Sequence, residues 1–280
     1  MKKVGLWVLL LVSLVGCSTK MGYYFLDWVI EWKLEEYVSL TSGQQAQFDS
    51  ALNQFLIWHR AEELPLYAKQ LSQFSLEFEQ ASLTPAVWAA QVEQLKQHWL
   101  RTFEFIKPFI VPMISSFTDE QVKQVIAQLR VDEKALNRKY LGKDRQALVE
   151  MADKRINKRI KKWIGKLTSK QKQAIHEYNL GRSSNLDMWL EYRHEWIRLL
   201  SLALKNRHNQ AALSHSLTVL MTQPDRLKSD VYKTTLDNNT EQFGTLLVRL
   251  NLLATISQKK HFQAKLDALI VDLNELSEAD

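Results

Sequence analysis

Cysteine is almost missing from this chain: Cys17 is the only one in 280 residues. A lone thiol rules out an internal disulfide and any cysteine-built zinc cluster, so stability has to come from a packed core. Glycine and proline are scarce as well, at eight and five. A sheet-rich protein of this length would need many more turn residues, so extended sheet structure is excluded. No Gly-x-Ser-x-Gly, His-Glu-x-x-His, phosphate-binding loop or dinucleotide fingerprint occurs, which removes the motif-defined enzyme classes. The longest apolar run, Val4 to Val15, falls short of the roughly 20 residues that span a bilayer.

What remains is helix-forming. Apolar residues make up 46% of the chain, enough for a core, and Leu, Gln, Lys, Glu and Ala are abundant. These features predict an all-α fold, a multi-helix bundle or irregular array of about eight to ten helices. Five stretches place a hydrophobe before a hydroxyl residue at a helix start: Leu40-Thr41, Leu83-Thr84, Phe117-Thr118, Leu167-Thr168 and Ile256-Ser257. Three complete a capping box, Thr41 with Gln44, Thr118 with Gln121 and Thr168 with Gln171, in which hydroxyl and amide exchange hydrogen bonds across the first turn. The expected helices cover 23–38, 42–80 with an interruption near Pro65, 85–107 ended by Pro108 and Pro112, 119–140 and 143–166 as two helices or one bent at Gly142, 169–180, 185–209 with an extension to 222 as its alternative, 226–255 and 258–277. Apolar faces at Phe243, Leu246, Leu247, Leu250, Leu253 and at Phe262, Leu266, Leu269, Leu273 predict that the last two helices pair antiparallel.

The first residues follow the plan of a secretory signal: Lys2 and Lys3, an apolar stretch, then Leu14-Val15-Gly16-Cys17. This string resembles the lipobox of bacterial lipoproteins. The resemblance implies cleavage before Cys17 and acylation of its thiol, which multiple acyl chains would make a stable anchor. Ser18 at the next position implies, by the same resemblance, sorting to the outer membrane with the protein facing the periplasm. The domain plan is therefore a signal over 1–16, a lipidated anchor and short tether over 17–22 and one helical domain over 23–280.

The densest polar-aromatic string is Trp58-His59-Arg60-Ala61-Glu62-Glu63-Leu64-Pro65-Leu66-Tyr67. With Tyr37, Val38 and Leu40 upstream and the lipobox before them, it resembles an uncharacterised family of proteobacterial lipoproteins with a domain of unknown function. That family carries no established activity, so the resemblance implies location and class but no reaction. Trp58, His59, Arg60, Glu62, Glu63 and Tyr67 form the candidate functional cluster. A zinc site needs three or four ligands, and His59 with Glu62 or Glu63 has no second cluster beside it. Glu191-x-x-His194 has di-iron spacing but lacks the second pair such sites require. No metal or cofactor is expected. The residues around Pro65 are instead expected to form a hydrogen-bonded junction among Arg60, His59, Glu62 and Glu63.

Charge is unevenly placed. The chain carries a net +6, yet the segment 130–172 alone carries fifteen Lys and Arg against five Asp and Glu. Within it Ile156, Ile160, Trp163, Ile164 and Leu167 fall on one helical face, and Arg155, Lys158, Arg159, Lys161, Lys162 and Lys166 fill the rest. Those six cations are a candidate anion-binding face for anionic lipid, peptidoglycan or an acidic periplasmic protein; the export signal argues against nucleic acid. The aromatic stretch Tyr23, Tyr24, Phe25, Trp28 and Trp32 is expected to be the first core helix, with a membrane-interface position as its alternative. Together these features predict a non-enzymatic, lipid-anchored scaffold or binding module. The string Leu-Thr-x-x-Gln also resembles the motif of small periplasmic stress chaperones of the Spy and CpxP type, which gives a chaperone as the alternative. An enzyme with a site near His59 and Glu63 is a third option.

Overall fold

The computed structural model describes residues 19–80 and 83–279. The signal over 1–16, Cys17 and Ser18 lie outside them. The described chain is an all-α array. Its elements are α1 (Thr19–Tyr24), α2 (Leu26–Glu35), α3 (Ser42–Trp58), a π turn (His59–Glu63), α4 (Leu64–Glu79), α5 (Pro85–Ser115), α6 (Asp119–Tyr140), α7 (Arg145–Ile164), α8 (Ser169–Gly181), α9 (Leu186–Lys205), α10 (Gln210–Thr222), a 3-10 turn (Pro224–Leu227), α11 (Asp230–Leu252) and α12 (Ile256–Ser277). Residues 19–22, expected as tether, are helix.

Three apolar clusters hold the array. The largest joins α5, α6, α9 and α10 around Phe103, Leu129, Leu204, Leu213 and Leu217. A second joins α1, α4 and α12 around Tyr23, Leu64, Tyr67 and Leu273. The third joins α8 and α11 around Ile175, Leu246 and Leu250, with the apolar face of α7 packed against it. Each fully buried large apolar side chain contributes about 1.5–3 kcal/mol. The expected α11–α12 pair does not form: α11 lies on α5 and α8, and α12 on α4 and α7. Gly244 permits the first of these contacts, because a Cβ there would stand 2.8 Å from Pro85 Cα.

Two proline expectations differ in outcome. Pro108 and Pro112 do not end α5, which runs through both to Ser115. Glu104, Pro108 and Pro112 are spaced four apart on the exposed side. The carbonyls that lose their N–H partners therefore face water, while Phe103 and Val111 anchor the opposite side in the core. Pro65 does perturb its helix. It cannot donate to Ala61, and the turn before it widens so that Leu64 N–H reaches His59 O, five residues back. A further break falls at 206–209 and separates α9 from α10. There the buried Arg207 donates to Phe117 O at 2.6 Å and to Asp119 Oδ1 at 2.7 Å, locking the turn onto the start of α6.

The Thr-x-x-Gln helix starts meet in pairs. Thr41, Thr118 and Thr168 cap their helices as expected. The last box is Thr255 with Gln258, two residues before the expected Ser257. Gln44 and Gln121 exchange amide hydrogen bonds at 3.2 and 2.6 Å, and Gln171 and Gln258 do so at 2.9 and 3.0 Å. Each amide nitrogen also points at the carbonyl two residues before its partner's threonine: Gln121 at Ser39, Gln44 at Ser116, Gln258 at Lys166 and Gln171 at Leu253. Two equivalent clasps thus tie α3 to α6 and α8 to α12. Thr84 caps α5 through Val87 N–H, and with valine at that third position it has no glutamine to pair.

Candidate functional site

The π turn divides the Trp-His-Arg-x-Glu-Glu string. Trp58 stacks on Phe105 of α5, with ring centroids 4.4 Å apart. His59 turns toward α1 and α4: its Nδ1 is 3.0 Å from Tyr23 Oη and its Nε2 3.3 Å from Tyr67 Oη. Arg60 is half-buried and Glu62 exposed. Glu63 is wholly buried and faces α5. The expected junction of Arg60, His59, Glu62 and Glu63 therefore does not form. Residues that are neighbours in sequence leave a helix in different directions, and the partners of the inward ones come from other helices.

Glu63 meets His98 and Arg101. Arg101 donates from Nε to Glu63 Oε1 at 2.6 Å and from Nη2 to Oε2 at 3.1 Å. His98 Nδ1 sits 2.9 Å from Glu63 Oε2 and 2.6 Å from Arg101 Nη2. Gln70 donates to the carbonyl and side chain of Gln91 at 3.1 and 2.9 Å. Its own Oε1 is left to accept from His98 Nε2, at 2.9 Å. Tyr67 stands edge-on to the His98 ring, with centroids 4.5 Å apart. The result is a polar seam between α4 and α5. Glu63, Tyr67 and Gln70 recur at offsets of four and three on one helix. Gln91, His98 and Thr102 recur at seven and four on the other. Sequence reasoning missed His98, Arg101, Gln70 and Gln91; the detectable signal was this polar residue spacing on the buried face of α5.

The electrostatics fit a fixed internal structure. Burial alone would raise Glu63, but hydrogen bonds from His98 and Arg101 and the Arg101 charge hold its carboxyl below the ordinary glutamate value. Burial pushes the Tyr23 and Tyr67 hydroxyls well up. His59 is lowered to about 4 by burial, against the opposing pull of Glu63. A neutral His59 satisfies both tyrosines, one as donor and one as acceptor.

The consequence is a pH dependence with a definite sign. An unfolded histidine titrates near 6.5, so a folded value of about 4 gives stability that is fully present above pH 6.5. It is lost as pH falls toward 4, by at most about 3 kcal/mol. Urea unfolding at pH 7 and pH 5 should show this loss, and His59→Gln should flatten it. An equal pH slope in wild type and variant would refute the assignment.

No group of three or more His, Cys, Asp or Glu side chains converges among the described residues. His194 Nδ1 pairs with Glu133 of α6 at 3.0 Å, and Glu191 is exposed. A cleft of about 260 Å³ opens between α2 and α3, lined by Glu31, Leu34, Glu35, Val38, Ser39, Leu40 and Gln45, away from the seam. No described helix is long and apolar enough to cross a membrane.

The basic face has the geometry its spacing implied. Arg155, Lys158, Arg159, Lys161, Lys162 and Lys166 are all exposed. Ile156, Ile160 and Ile164 of the opposite side pack on the α8–α11 cluster, and Trp163 packs on the α4–α12 cluster. Among the described residues, no carboxylate comes within ion-pair distance of any of the six. Asp144 caps the helix start through Ala147 N–H at 2.7 Å. Gly165, at φ 79°, ends it in a conformation that residues with a Cβ rarely adopt.

No curated protein matches the chain, and no solved structure does. The model of a family of unknown function, DUF6279, matches residues 36–233. That span runs from the end of α2 to the start of α11 and so includes the π turn, the α4–α5 seam, the first clasp and the basic face of α7. Covering well over half of the chain, the match places this protein in DUF6279, a family of unknown function.

Proposed function

We propose that this protein is a lipid-anchored helical binding module of the bacterial periplasm. It is held at the outer membrane through Cys17, engages an anionic partner through the basic face of α7, and carries out no catalysis. The observation that carries this reading is the contrast between the two polar constellations. The groups of the α4–α5 seam are bonded to one another inside the array, whereas the five cations of α7 and Lys166 just past its end are exposed, with no carboxylate at ion-pair distance among the described residues. A rigid row of charge suits phosphate or carboxylate groups displayed on a surface. A chaperone role draws its support from the Thr-x-x-Gln strings, and these are used internally as clasps.

The anchor is tested by labelling cells with a fatty-acid analogue. Cys17→Ser should abolish the label and leave an unprocessed precursor, because no other thiol can take its place. Labelling equal to wild type would overturn the anchor. Crosslinking in cells, followed by capture of the protein, should recover an acidic partner or peptidoglycan fragments. Recovery should be lost in the Lys158→Gln, Lys161→Gln, Lys162→Gln triple variant.

A further inference from the structure

The aromatic segment expected to enter the core does so on one side only. Thr19, Tyr23, Leu26 and Ile30 lie at offsets of zero, four, seven and eleven and face the body. Tyr23 and Leu26 are buried in the α4–α12 cluster with Ile30 packed against it. Met21, Phe25, Trp28 and Trp32 repeat the same offsets two residues later, which turns them to the opposite face. They are 54, 55, 61 and 47% exposed, and Tyr24 beside them is 62% exposed. Trp28 and Trp32 stack with nearly parallel rings, their centroids 6.2 Å apart. The Lys33 ammonium lies 4.9 Å over the Trp32 ring. A contiguous aromatic face of this kind calls for an occupant.

The placement of the chain says which. Thr19 N–H donates to Asp272 Oδ2 at 3.0 Å, Lys20 pairs with Glu275, and Tyr23 bonds His59. The segment is thus fixed to the end of α12. Immediately upstream lies the apolar run Val4–Val15 and then Cys17, four residues from Met21. Four residues reach about 14 Å at full extension, so a membrane hold on that upstream stretch keeps the outer stripe within reach of the bilayer surface. Tryptophan and tyrosine favour that boundary, where an apolar ring and a polar edge are both satisfied. A lysine at the rim can keep its ammonium in the headgroup layer.

We infer that the outer stripe of α1 and α2, centred on Trp28 and Trp32, seats in the headgroup–acyl boundary of a phospholipid bilayer. The body would then stand on the membrane in one orientation rather than swing on a lipid tether. This rests on the proposed anchoring only for the presence of a membrane hold upstream of Thr19.

The test reconstitutes the protein, expressed as the full chain and extracted from membranes, into phosphatidylethanolamine–phosphatidylglycerol vesicles with brominated acyl chains. The fluorescence difference between wild type and the Trp28→Phe, Trp32→Phe variant isolates the two exposed indoles from the remaining tryptophans. Phenylalanine preserves the apolar face, and both positions are exposed, so the variant should fold. The difference signal should be blue-shifted and lost to bromine quenching. A difference signal that survives bromine, or a photo-crosslink from position 28 that captures a protein or a second copy of the chain, overturns the inference. Acyl labelling of Cys17 is read separately: quenching without label rejects the lipid anchor alone, and label without quenching rejects the bilayer contact alone.

Discussion

Gln171→Glu is expected to lower stability by about 4–5 kcal/mol at neutral pH, as a large drop in the urea midpoint without a change of slope. Gln171 is 0% exposed. Its oxygen accepts from Thr168 N–H at 2.9 Å and from the Gln258 amide at 3.0 Å. Its nitrogen donates to Gln258 Oε1 at 2.9 Å. Glutamate keeps the capping oxygen, which is why capping boxes elsewhere use either residue. It cannot supply the N–H that Gln258 Oε1 requires, so a carboxylate would face a carbonyl oxygen in a buried site. Protonation restores one donor, and the deficit should shrink as pH falls. Gln171→Ala should cost about 3 kcal/mol by stranding the Gln258 amide. Replacing both glutamines by leucine should cost less than the sum of the single changes, since neither side-chain amide then strands the other and only backbone groups, among them the N–H of Thr168 and of Thr255, lose their partners. A Gln171→Glu protein as stable as wild type would show that the clasp is dispensable.

The second large effect belongs to Glu63. Glu63→Ala removes the acceptor for two Arg101 donors and leaves His98 facing a cavity. Breaking a buried charge pair from one side costs about 3–5 kcal/mol. Arg101 is 42% exposed and can turn to water, which places the expected loss toward the lower figure. Because the Glu63 carboxyl titrates below the ordinary glutamate value, its contribution is complete above that value and is lost as pH falls through the folded one. Glu63→Gln should therefore be destabilised at pH 7 and approach wild type in acid. Stability unchanged within about 0.5 kcal/mol in Glu63→Ala would mean that the seam carries no structural load.

These two predictions concern features that the sequence disclosed unequally. Three of the four glutamine boxes were readable because a capping box is local, closed within three residues. Their pairing was not, since Gln44 and Gln121 lie 77 residues apart and Gln171 and Gln258 lie 87 apart. The fourth box went unread because Ile256, imitating the hydrophobe that precedes the other caps, put the helix start on Ser257 rather than Thr255. The available clue was chemical: every paired box carries glutamine, which can donate and accept at once. Pro65 was legible as a perturbation and Pro108 and Pro112 were misjudged, because a proline's effect depends on whether the orphaned carbonyl faces core or solvent. The string around His59 and Glu63 was visible as a cluster, but its partners Tyr23, His98 and Arg101 come from α1 and α5. The aromatic start was assigned to the core from composition, and only its inner stripe goes there. The basic face of α7 was readable in full, because helical periodicity alone separates its apolar and charged sides.

The proposed partner meets the basic surface of α7 rather than the polar interior, and one salt titration tests that contact directly. Full-length protein is mixed with phosphatidylglycerol vesicles and, in parallel, with purified peptidoglycan, from low to high ionic strength. Wild type should show a binding component to at least one of them that weakens steeply with salt, as screening shortens the field of the six cations. The Lys158→Gln, Lys161→Gln, Lys162→Gln variant should lose that component while unfolding in urea like wild type, since these side chains are exposed and the apolar face is untouched. The absence of a salt-sensitive component on both materials, or equal salt dependence in the variant, would contradict it.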